Sequence, residues 1–300
     1  MSAGRVGAVG LGLLGSALTT TLLNRGFDVV GFDLDLARIR EHEQRGGVAA
    51  ASVAEVARSA EQLLLALPTS DISRTVCLGD DGVGANAAPG TVVMDATTAR
   101  PSDSLAIGEE LAARGVAYLD TNISGSSVMA AERDIVVMVG GDADALRKVR
   151  PVLDAVARSV RHVGGAGAGA RTKLIVNLML GAHRVVLAEA LVLGEKSGLD
   201  LDVLLEVLAD SAAYSKAMDG WGPRMIAGDH GQPMSRIRQH AKDVRLILEE
   251  GAAVGAPLWM ASTVGQVLLV AQEQGLADAD NSAVIEALRR LAAHSRPAPG

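Results

Sequence analysis

Residues 5–33 read RVGAVGLGLLGSALTTTLLNRGFDVVGFD, and this stretch decides the fold of the first part of the chain. An apolar strand-like run leads into Gly10, Gly12 and Gly15, a helix-like segment follows, and a second apolar run ends on Asp33. Gly10 permits a tight turn, Gly12 lets the backbone approach a pyrophosphate, and Gly15 lets helix and strand pack closely. Since Asp33 follows a strand 18 positions after Gly15, the order of strand, glycine turn, helix, strand and acid predicts a dinucleotide-binding unit.

Two other interpretations of this stretch are weaker. Residues 6–23 are apolar behind one arginine, as in a secretory signal, but glycines interrupt the run and it continues directly into a second strand. A methyltransferase-type glycine loop also precedes an acid after its second strand. The remainder of the chain disfavours that interpretation.

The composition indicates an acidic, aliphatic, cytoplasmic enzyme. The net charge of −7 disfavours a nucleic-acid partner, because phosphate backbones need clustered lysine and arginine. Apolar runs stay below the ~18 residues that a membrane span needs, so no membrane partner is expected. The single cysteine, Cys77, excludes an intramolecular disulfide and fits a reducing compartment. The six histidines have no metal-ligand spacing, so no metal is predicted.

Strand-like and helix-like segments alternate through the first half of the chain. Further strands are predicted at 62–66, 91–94, 116–119, 135–139 and 160–163, with helices at 102–114 and 143–157. This alternation is typical of βαβ crossovers. It predicts a Rossmann-type α/β fold, a doubly wound and mostly parallel sheet covered on both faces.

The character of the chain changes at Gly164, since four of the six residues 164–169 are glycine. A long helix-favouring run then extends to residue 196, and helical periods follow at 200–209, 236–254, 257–274 and 281–292. The sequence therefore predicts an all-α C-terminal domain. We expect a dinucleotide-binding domain over 1–164, a helical substrate and oligomerisation domain over 165–292, and a disordered tail over 293–300.

Open α/β sheets bind ligands beyond the carboxyl ends of their strands. The glycine turn, Leu67-Pro68, Thr97-Thr98 and a loop over 120–127 are all expected at that edge. Within the loop, Ser124-Gly125-Ser126 can supply backbone N–H groups and hydroxyls to an anionic substrate. An ordinary serine-rich turn explains the same residues, so that alternative stays open here.

Lys173 and Asn177 are four residues apart in the predicted long helix, which puts them on one face. Apolar neighbours would partly desolvate the lysine and lower its pKa, which suits it to take a proton from an alcohol and return it. Asn177 would hold the lysine or the substrate hydroxyl by hydrogen bonds. A surface lysine whose stem covers apolar side chains fits the same spacing, so both interpretations stay open.

Four motifs follow one another along the chain: Gly10-x-Gly12-x-x-Gly15, Ser124-Gly125, Lys173-x-x-x-Asn177 and Lys242-Asp243. Together they resemble the β-hydroxyacid dehydrogenase family, of which 3-hydroxyisobutyrate dehydrogenase and tartronate semialdehyde reductase are members. The resemblance runs over most of the chain. It implies a Rossmann domain joined to a helical domain, with a small carboxylate-bearing substrate between them.

The resemblance also implies roles for individual residues. Lys173 would be the acid/base and Asn177 would assist it. Ser124-Gly125 would hold the substrate carboxylate. Lys242 and Thr97-Thr98 would lie beside the cofactor. Because relatives are commonly dimers or tetramers, a homodimer or homotetramer is expected.

Departures from the family pattern bear on the substrate and the reaction. Asn122 and Ser126 replace the usual proline and second glycine of the substrate loop, which leaves the substrate unspecified. The decarboxylating 6-phosphogluconate dehydrogenases carry a histidine and a glutamate where this chain has Val176 and Leu180, so oxidation without decarboxylation is expected. Imine reductases generally lack the lysine, so Lys173 disfavours that branch.

Asp33 also predicts the choice of cofactor. Its carboxylate can accept both ribose hydroxyls of NAD but would repel the 2′-phosphate of NADP. NADP-preferring relatives usually place an arginine directly after this strand, whereas Leu34-Asp35 follow here and the nearest arginine is Arg38. NAD is therefore predicted rather than NADP.

The sequence as a whole predicts a cytoplasmic NAD-dependent dehydrogenase that interconverts a small β-hydroxy acid and its semialdehyde or keto form. An NADPH-dependent imine reductase-like enzyme and a non-catalytic NAD-binding sensor are the alternatives. The predicted catalytic residues are Lys173, Asn177 and Ser124, and the predicted substrate-binding residues are Ser124, Gly125, Ser126 and Asn177. The predicted cofactor-binding residues are Gly10, Leu11, Gly12, Leu13, Leu14, Gly15, Asp33, Leu67, Pro68, Thr97, Thr98 and Lys242.

Overall fold

The computed structural model describes residues 3–294, and the chain divides into two compact units, Met1–Lys173 and Leu174–Gly300. The first unit is built on a β-sheet with helices, and the second is built from helices. Of the tail expected over 293–300, residues 295–300 lie outside the described part of the chain. Residues 293 and 294 still belong to the last helix.

Eight strands form one sheet in the first unit: β1 (Arg5–Val9), β2 (Asp28–Phe32), β3 (Val48–Ala49), β4 (Gln62–Leu65), β5 (Val92–Asp95), β6 (Ala117–Ser124), β7 (Val136–Gly140) and β8 (Ser159–Gly164). Their order across the sheet is β3-β2-β1-β4-β5-β6-β7-β8. Neighbouring strands are parallel except for β6 and β7, which are antiparallel. The chain reverses its direction of travel across the sheet at β1 and β4. α/β proteins bind their ligands at such a switch point.

Helices cover both faces of this sheet. They are α1 (Leu13–Asn24), α2 (Leu36–Gln44), α3 (Val53–Ser59), α4 (Ser70–Leu78), α5 (Val83–Asn86), α6 (Pro101–Ala112), α7 (Ser127–Ala131) and α8 (Ala143–Val156). Within β1, Val6 and Ala8 belong to one core cluster with Leu18 of α1, whereas Val9 belongs to another with Val56 of α3. Since side chains alternate across a strand, the sheet has a core on each face. The predicted doubly wound sheet followed by a helical region is confirmed.

The second unit is helical. It contains most of α9 (Ala168–Lys196), followed by α10 (Leu201–Asp210), α11 (Ala217–Ala227), α12 (Ile237–Val254), α13 (Trp259–Glu273), a 3₁₀ turn (Asn281–Ala283) and α14 (Val284–His294). Leu187 and Leu191 of α9 are buried in its core. Among the described residues, α9 is the one helix whose length and apolar composition would allow it to cross a membrane. Core helices of soluble proteins meet the same criterion.

Several elements differ from the sequence-based predictions. β3 has two residues, which is too short a run to produce an alternating pattern. α11 was not predicted, because Gly220, Gly222 and Pro223 lower its helix propensity. β6 continues through Ser124 instead of ending at residue 119, because residues 120–124 pair with β7. The loop expected over 120–127 is therefore a strand for most of its length.

Candidate active site

The glycine turn between β1 and α1 excludes side chains by close backbone contacts. Gly10 has a φ of 90°, and its N–H donates to the Phe32 carbonyl at 2.9 Å. A Cβ atom on Gly10 would overlap the carbonyl oxygen of Ala66, and one on Gly15 would overlap the carbonyl oxygen of Gly10. α1 begins at Leu13, and within the described structure no side chain caps its first N–H groups. Leu11 is buried, Gly12 and Leu14 are half-buried, and Leu13 is exposed.

Asp33, directly after β2, is held beside this turn. Its carboxylate accepts the N–H of Leu11 at 2.7 Å and the N–H of Asp35 at 2.9 Å. Arg38 on α2 lies 3.5 Å from the same carboxylate, and its Nη1 is 3.3 Å from the place that a Cβ on Gly12 would take. The contact between Arg38 and Asp33 was not predicted from the sequence. It forms because the first turn of α2 brings Arg38 back toward the end of β2. The turn therefore has a carboxylate and a cation side by side.

The turns Leu67-Pro68 and Thr97-Thr98, which follow β4 and β5, are joined by hydrogen bonds. The Thr97 hydroxyl accepts the N–H of Leu67 at 3.1 Å and lies 3.2 Å from the Ser73 hydroxyl. The Thr97 carbonyl accepts the side-chain N–H of Asn122, in β6, at 2.7 Å. The structure therefore brings these two turns and β6 together at the carboxyl edge of the parallel strands.

A buried carboxylate supports Thr97. Asp95, at the end of β5, accepts the Thr97 N–H and the Tyr118 hydroxyl, each at 2.9 Å. Burial raises the pKa of Asp95, while its hydrogen bonds act in the opposite direction. Burial, and next the nearby charge of Asp95, raises the pKa of the Tyr118 hydroxyl well above its ordinary value. Neither Asp95 nor Tyr118 is among the site residues predicted from the sequence.

Ser124-Gly125-Ser126 lie where β6 ends. Ser124 is the last residue of the strand and is half-buried, and Gly125 is exposed with a φ of 141°. A Cβ on Gly125 would stand 2.6 Å from a methyl group of Ile135, so the close packing requires glycine. The Ser126 hydroxyl accepts the N–H of Met129 at 3.2 Å and so caps α7. Ser126 thus has a structural partner in addition to its predicted contact with substrate.

Asp120 in β6 holds the start of α9. Its carboxylate accepts the N–H of Gly167 at 3.0 Å and the N–H of Ala170 at 2.7 Å. Burial raises the pKa of Asp120, while these backbone hydrogen bonds lower it. Because Ala170 is three residues before Lys173, the strand that ends at Ser124 also anchors the helical turn that carries the lysine. No local pattern in the sequence indicates this contact, which joins residues 50 positions apart.

Lys173 and Asn177 lie one turn apart on one face of α9. Lys173 is half-buried, and Asn177 is 6% exposed. The Asn177 side-chain N–H donates to Asp243 Oδ2 on α12 at 2.9 Å, and Lys242 Nζ lies 3.2 Å from Asp243 Oδ1. Asp243 therefore fixes the orientation of the Asn177 amide by holding its nitrogen. The amide oxygen of Asn177 can then accept a hydrogen bond from another group. The Lys242-Asp243 motif pointed to this place, but Asp243 itself was not among the predicted site residues.

The predicted site residues fall into two groups. The glycine turn, Asp33, the turns after β4 and β5, and the end of β6 belong to the first unit, as does Lys173. Asn177 and Lys242 belong to the second unit. In the described part of the chain, no group of three or more histidine, cysteine, aspartate or glutamate side chains is arranged to hold a metal ion.

A glycine turn at the start of α1 with an acid after β2 is the dinucleotide-binding arrangement of Rossmann-type domains. Residues 5–164 match the family model described as the NAD binding domain of 6-phosphogluconate dehydrogenase. Residues 167–288 match the one described as NAD-binding of NADP-dependent 3-hydroxyisobutyrate dehydrogenase. The chain belongs to the β-hydroxyacid dehydrogenase family. The predicted family, enzyme class and NAD cofactor are confirmed.

Individual relatives match along nearly the whole chain. The chain is 33% identical to 2-(hydroxymethyl)glutarate dehydrogenase of Eubacterium barkeri, over 96% of this chain and 95% of that protein. It is 32% identical to L-threonate dehydrogenase of Cupriavidus necator, over 94% and 95% of the two chains. The structure of Mycobacterium tuberculosis 3-hydroxyisobutyrate dehydrogenase with L-serine has a TM-score of 0.87 at 30% identity, and the likeness covers 96% of this chain and 100% of that one.

Proposed function

We propose that this protein oxidises a small β-hydroxy acid reversibly to its semialdehyde or keto acid, with NAD and without decarboxylation. The names of the relatives, which include dehydrogenases of L-threonate and 2-(hydroxymethyl)glutarate, support a hydroxy acid as the substrate. One observation carries the proposal. Lys173 and Asn177 share a helix face, and Asp243 orients the amide at 2.9 Å. A titratable amine next to a fixed hydrogen-bonding group is what proton transfer at an alcohol needs.

The first unit provides the groups that would hold NAD. The glycine turn would hold the pyrophosphate: overlaps at Gly10 and Gly15 show that the turn requires glycine, and the N-terminus of α1 attracts an anion. Asp33 would accept the ribose hydroxyls, and Leu67-Pro68 and Thr97-Thr98 would line the path of the cofactor along the strand ends. Lys242 is proposed as a further contact. When bound, NAD supplies the hydride acceptor.

Lys173 would move a proton at the hydroxyl oxygen of the substrate. As the neutral amine it takes the proton while the alcohol carbon becomes a carbonyl, and as the ammonium it returns the proton during reduction. Asn177 would hydrogen-bond the same oxygen or the lysine, in the orientation that Asp243 fixes. The hydroxyl of Ser124 and the N–H groups of Gly125-Ser126 would bind the substrate carboxylate, since ionised acceptors form the stronger hydrogen bonds.

The reaction would end at the carbonyl compound. Loss of carbon dioxide from a keto acid requires that the resulting enol be protonated on carbon. Val176 and Leu180, which flank Asn177 on α9, are apolar and supply no proton. This supports oxidation without decarboxylation.

We further propose that the protein acts as a homodimer or homotetramer in the cytoplasm. α9 exposes Ile175, Met179, Val186 and Leu193, which recur at helical spacing along one side of the helix. An apolar stripe of this length is typical of a protein interface, and a second copy of the chain is the proposed occupant. Light scattering measures the assembly, and a monomer would contradict this part. The buried free thiol of Cys77 supports a reducing compartment.

The test is NADH formation with a panel of 3-hydroxyisobutyrate, 3-hydroxypropionate, glycerate, L-serine, L-threonate and γ-hydroxybutyrate, to which 2-(hydroxymethyl)glutarate is added as a hydroxy acid with two carboxylates. Lys173→Met should lower kcat by about 10²–10⁴, the usual contribution of general acid–base catalysis. NAD affinity, measured by calorimetry, should stay at the wild-type value. Lys196→Met changes an exposed lysine at the other end of α9 and is the matched control. Wild-type kcat in Lys173→Met would refute the acid/base role, and a wild type that is silent on every acid would refute the activity.

A further inference from the structure

A buried arginine lies on the same face of α9 as Asn177. Arg184 is 5% exposed, and its guanidinium carbon lies 4.8 Å from the centre of the Trp221 ring. Seven residues make about two turns of an α-helix, so Arg184 follows Asn177 along one line on the helix surface. The reaction proposed above gives this arginine no role.

The Arg184 side chain runs back along α9 toward Asn177. Its Nε–H donates to the carbonyl oxygen of Leu180 at 3.2 Å, one turn earlier in the helix. Long side chains on helices lean toward the N-terminus in this way. The guanidinium therefore lies about one helical turn, or ~5 Å along the axis, from the level of Asn177.

The structure compensates the burial of this cation only in part. Within the described residues, the hydrogen bond that it shows for the guanidinium is the one from Nε to Leu180. The carboxylates of Asp280 and Asp243 act on Arg184 electrostatically. Asp243, however, already accepts Asn177, and Asp280 already accepts backbone N–H groups.

The charge of Arg184 persists at neutral pH. Burial lowers its pKa to about 10, against the opposing effect of the two carboxylates. A guanidinium has five N–H donors in a rigid, planar fork, and the guanidinium carbon of Arg184 lies over the Trp221 ring. A buried cation of this kind is destabilising unless its donors find acceptors. A ligand with a planar anionic group would satisfy them.

We propose that Arg184 is a subsite for a second carboxylate of the substrate, so that the enzyme prefers hydroxy acids with two carboxylates to those with one. This inference rests on the proposed function, in which Ser124-Gly125 hold the first carboxylate and Asn177 meets the hydroxyl. A short carbon chain from that hydroxyl would span the single helical turn to the guanidinium, past the His240 ring that lies against Gly181. Two parallel hydrogen bonds between the fork and a carboxylate would then select the dicarboxylate.

Calorimetric binding of glutarate and butyrate, in the presence of saturating NADH, tests this subsite without turnover. The wild type should bind glutarate about 10- to 100-fold more tightly than butyrate, the usual worth of hydrogen bonds to a charged group. Arg184→Met should abolish this preference and leave butyrate binding unchanged. Arg245→Met removes an exposed arginine of α12 and should keep the wild-type preference.

Three results would overturn the subsite. They are equal wild-type affinities for the two acids, an unchanged glutarate preference in Arg184→Met, and an equal loss of both ligands with a lower unfolding temperature. An equal loss of both ligands with a lower unfolding temperature is expected if Arg184 only stabilises the fold. Should Arg184→Met not fold, Arg184→Lys keeps the charge without the fork. Arg184→Lys should still bind glutarate more tightly than butyrate, but by a smaller factor than the wild type. The same factor as in the wild type would also overturn the subsite.

The hydroxy-acid panel separates this inference from the proposed function. Turnover of hydroxy acids with no preference for dicarboxylates would remove the subsite and leave the dehydrogenase. Glutarate binding that depends on Arg184, with no turnover of any hydroxy acid, would remove the dehydrogenase and leave the subsite.

Discussion

Replacement of Asp120 by asparagine should loosen the first turn of α9 and slow the proposed reaction. The Asp120 carboxylate accepts the N–H groups of Gly167 and Ala170 at 3.0 and 2.7 Å, so it ties β6 to the helix that carries Lys173. Asparagine keeps the shape of the side chain. Its NH₂ group, however, would face one of the two N–H donors, so one hydrogen bond is lost and the charge with it.

The expected magnitude follows from the interactions removed. A hydrogen bond to a charged acceptor contributes ~1.5–3 kcal/mol, and an anion at a helix N-terminus adds ~0.3–1 kcal/mol. Burial offsets part of this loss, because it raises the pKa of Asp120 and so already disfavours the charged form. We expect the free energy of unfolding to fall by about 1–3 kcal/mol.

Urea unfolding followed by circular dichroism measures this loss, and hydrogen exchange by mass spectrometry locates it. The amides of residues 167–173 should exchange faster in Asp120→Asn, and kcat should fall more than NAD affinity. Asp154→Asn, which breaks an exposed ion pair with Arg150, is the control and should change stability by less than ~1 kcal/mol. Wild-type exchange over residues 167–173 in Asp120→Asn would refute the reasoning, because the carboxylate would then not hold the helix.

Two further substitutions test the first unit. Asp33→Ser should raise the ratio of kcat/KM for NADP to that for NAD at least ~10-fold, since like charges in contact cost several kcal/mol and Arg38 remains beside the turn. Initial rates with both cofactors measure it, and an unchanged ratio would count against Asp33 as the selecting residue. Asp95→Asn should flatten the pH dependence of stability. Burial raises the folded-state pKa of Asp95, so its contribution is full below the unfolded pKa of ~3.9 and is lost as the pH rises through the folded value. Urea unfolding between about pH 4 and about pH 8 should show the wild type losing more stability than Asp95→Asn, and parallel curves would contradict this.

The parts of the fold that were predictable are those in which local pattern and final structure agree. Buried parallel strands are continuous apolar runs, and the glycine turn is specified by residues 10–15 alone. The end of β6 was not predictable in this way. Asp120, Thr121 and Asn122 are polar yet fully buried in a strand, because the partners of Asp120 and Asn122 lie on distant segments. When polar residues are taken as a sign of a loop, β6 is therefore predicted to end at residue 119 instead of at Ser124.

The same distinction applies to the candidate site. The spacing of Lys173 and Asn177 follows from helix geometry, so the sequence is sufficient to put them on one face. The hydrogen bond between Asn177 and Asp243 joins residues 66 positions apart, and only the packing of α12 beside α9 creates it. Arg38 is a similar case, because its approach to Asp33 depends on where α2 turns after the strand.

The buried face of α9 carries two polar side chains whose burial costs hydration. Asn177 and Arg184 are 6% and 5% exposed, and each gave up hydration when it was buried. Asp243 compensates Asn177 by a direct hydrogen bond, whereas Arg184 has the Trp221 ring and two carboxylates engaged elsewhere. Positions at which a chain departs from the locally stable choice are where functional sites are expected. The two residues therefore support one substrate path along α9, with the hydroxyl near Asn177 and a second anionic group toward Arg184.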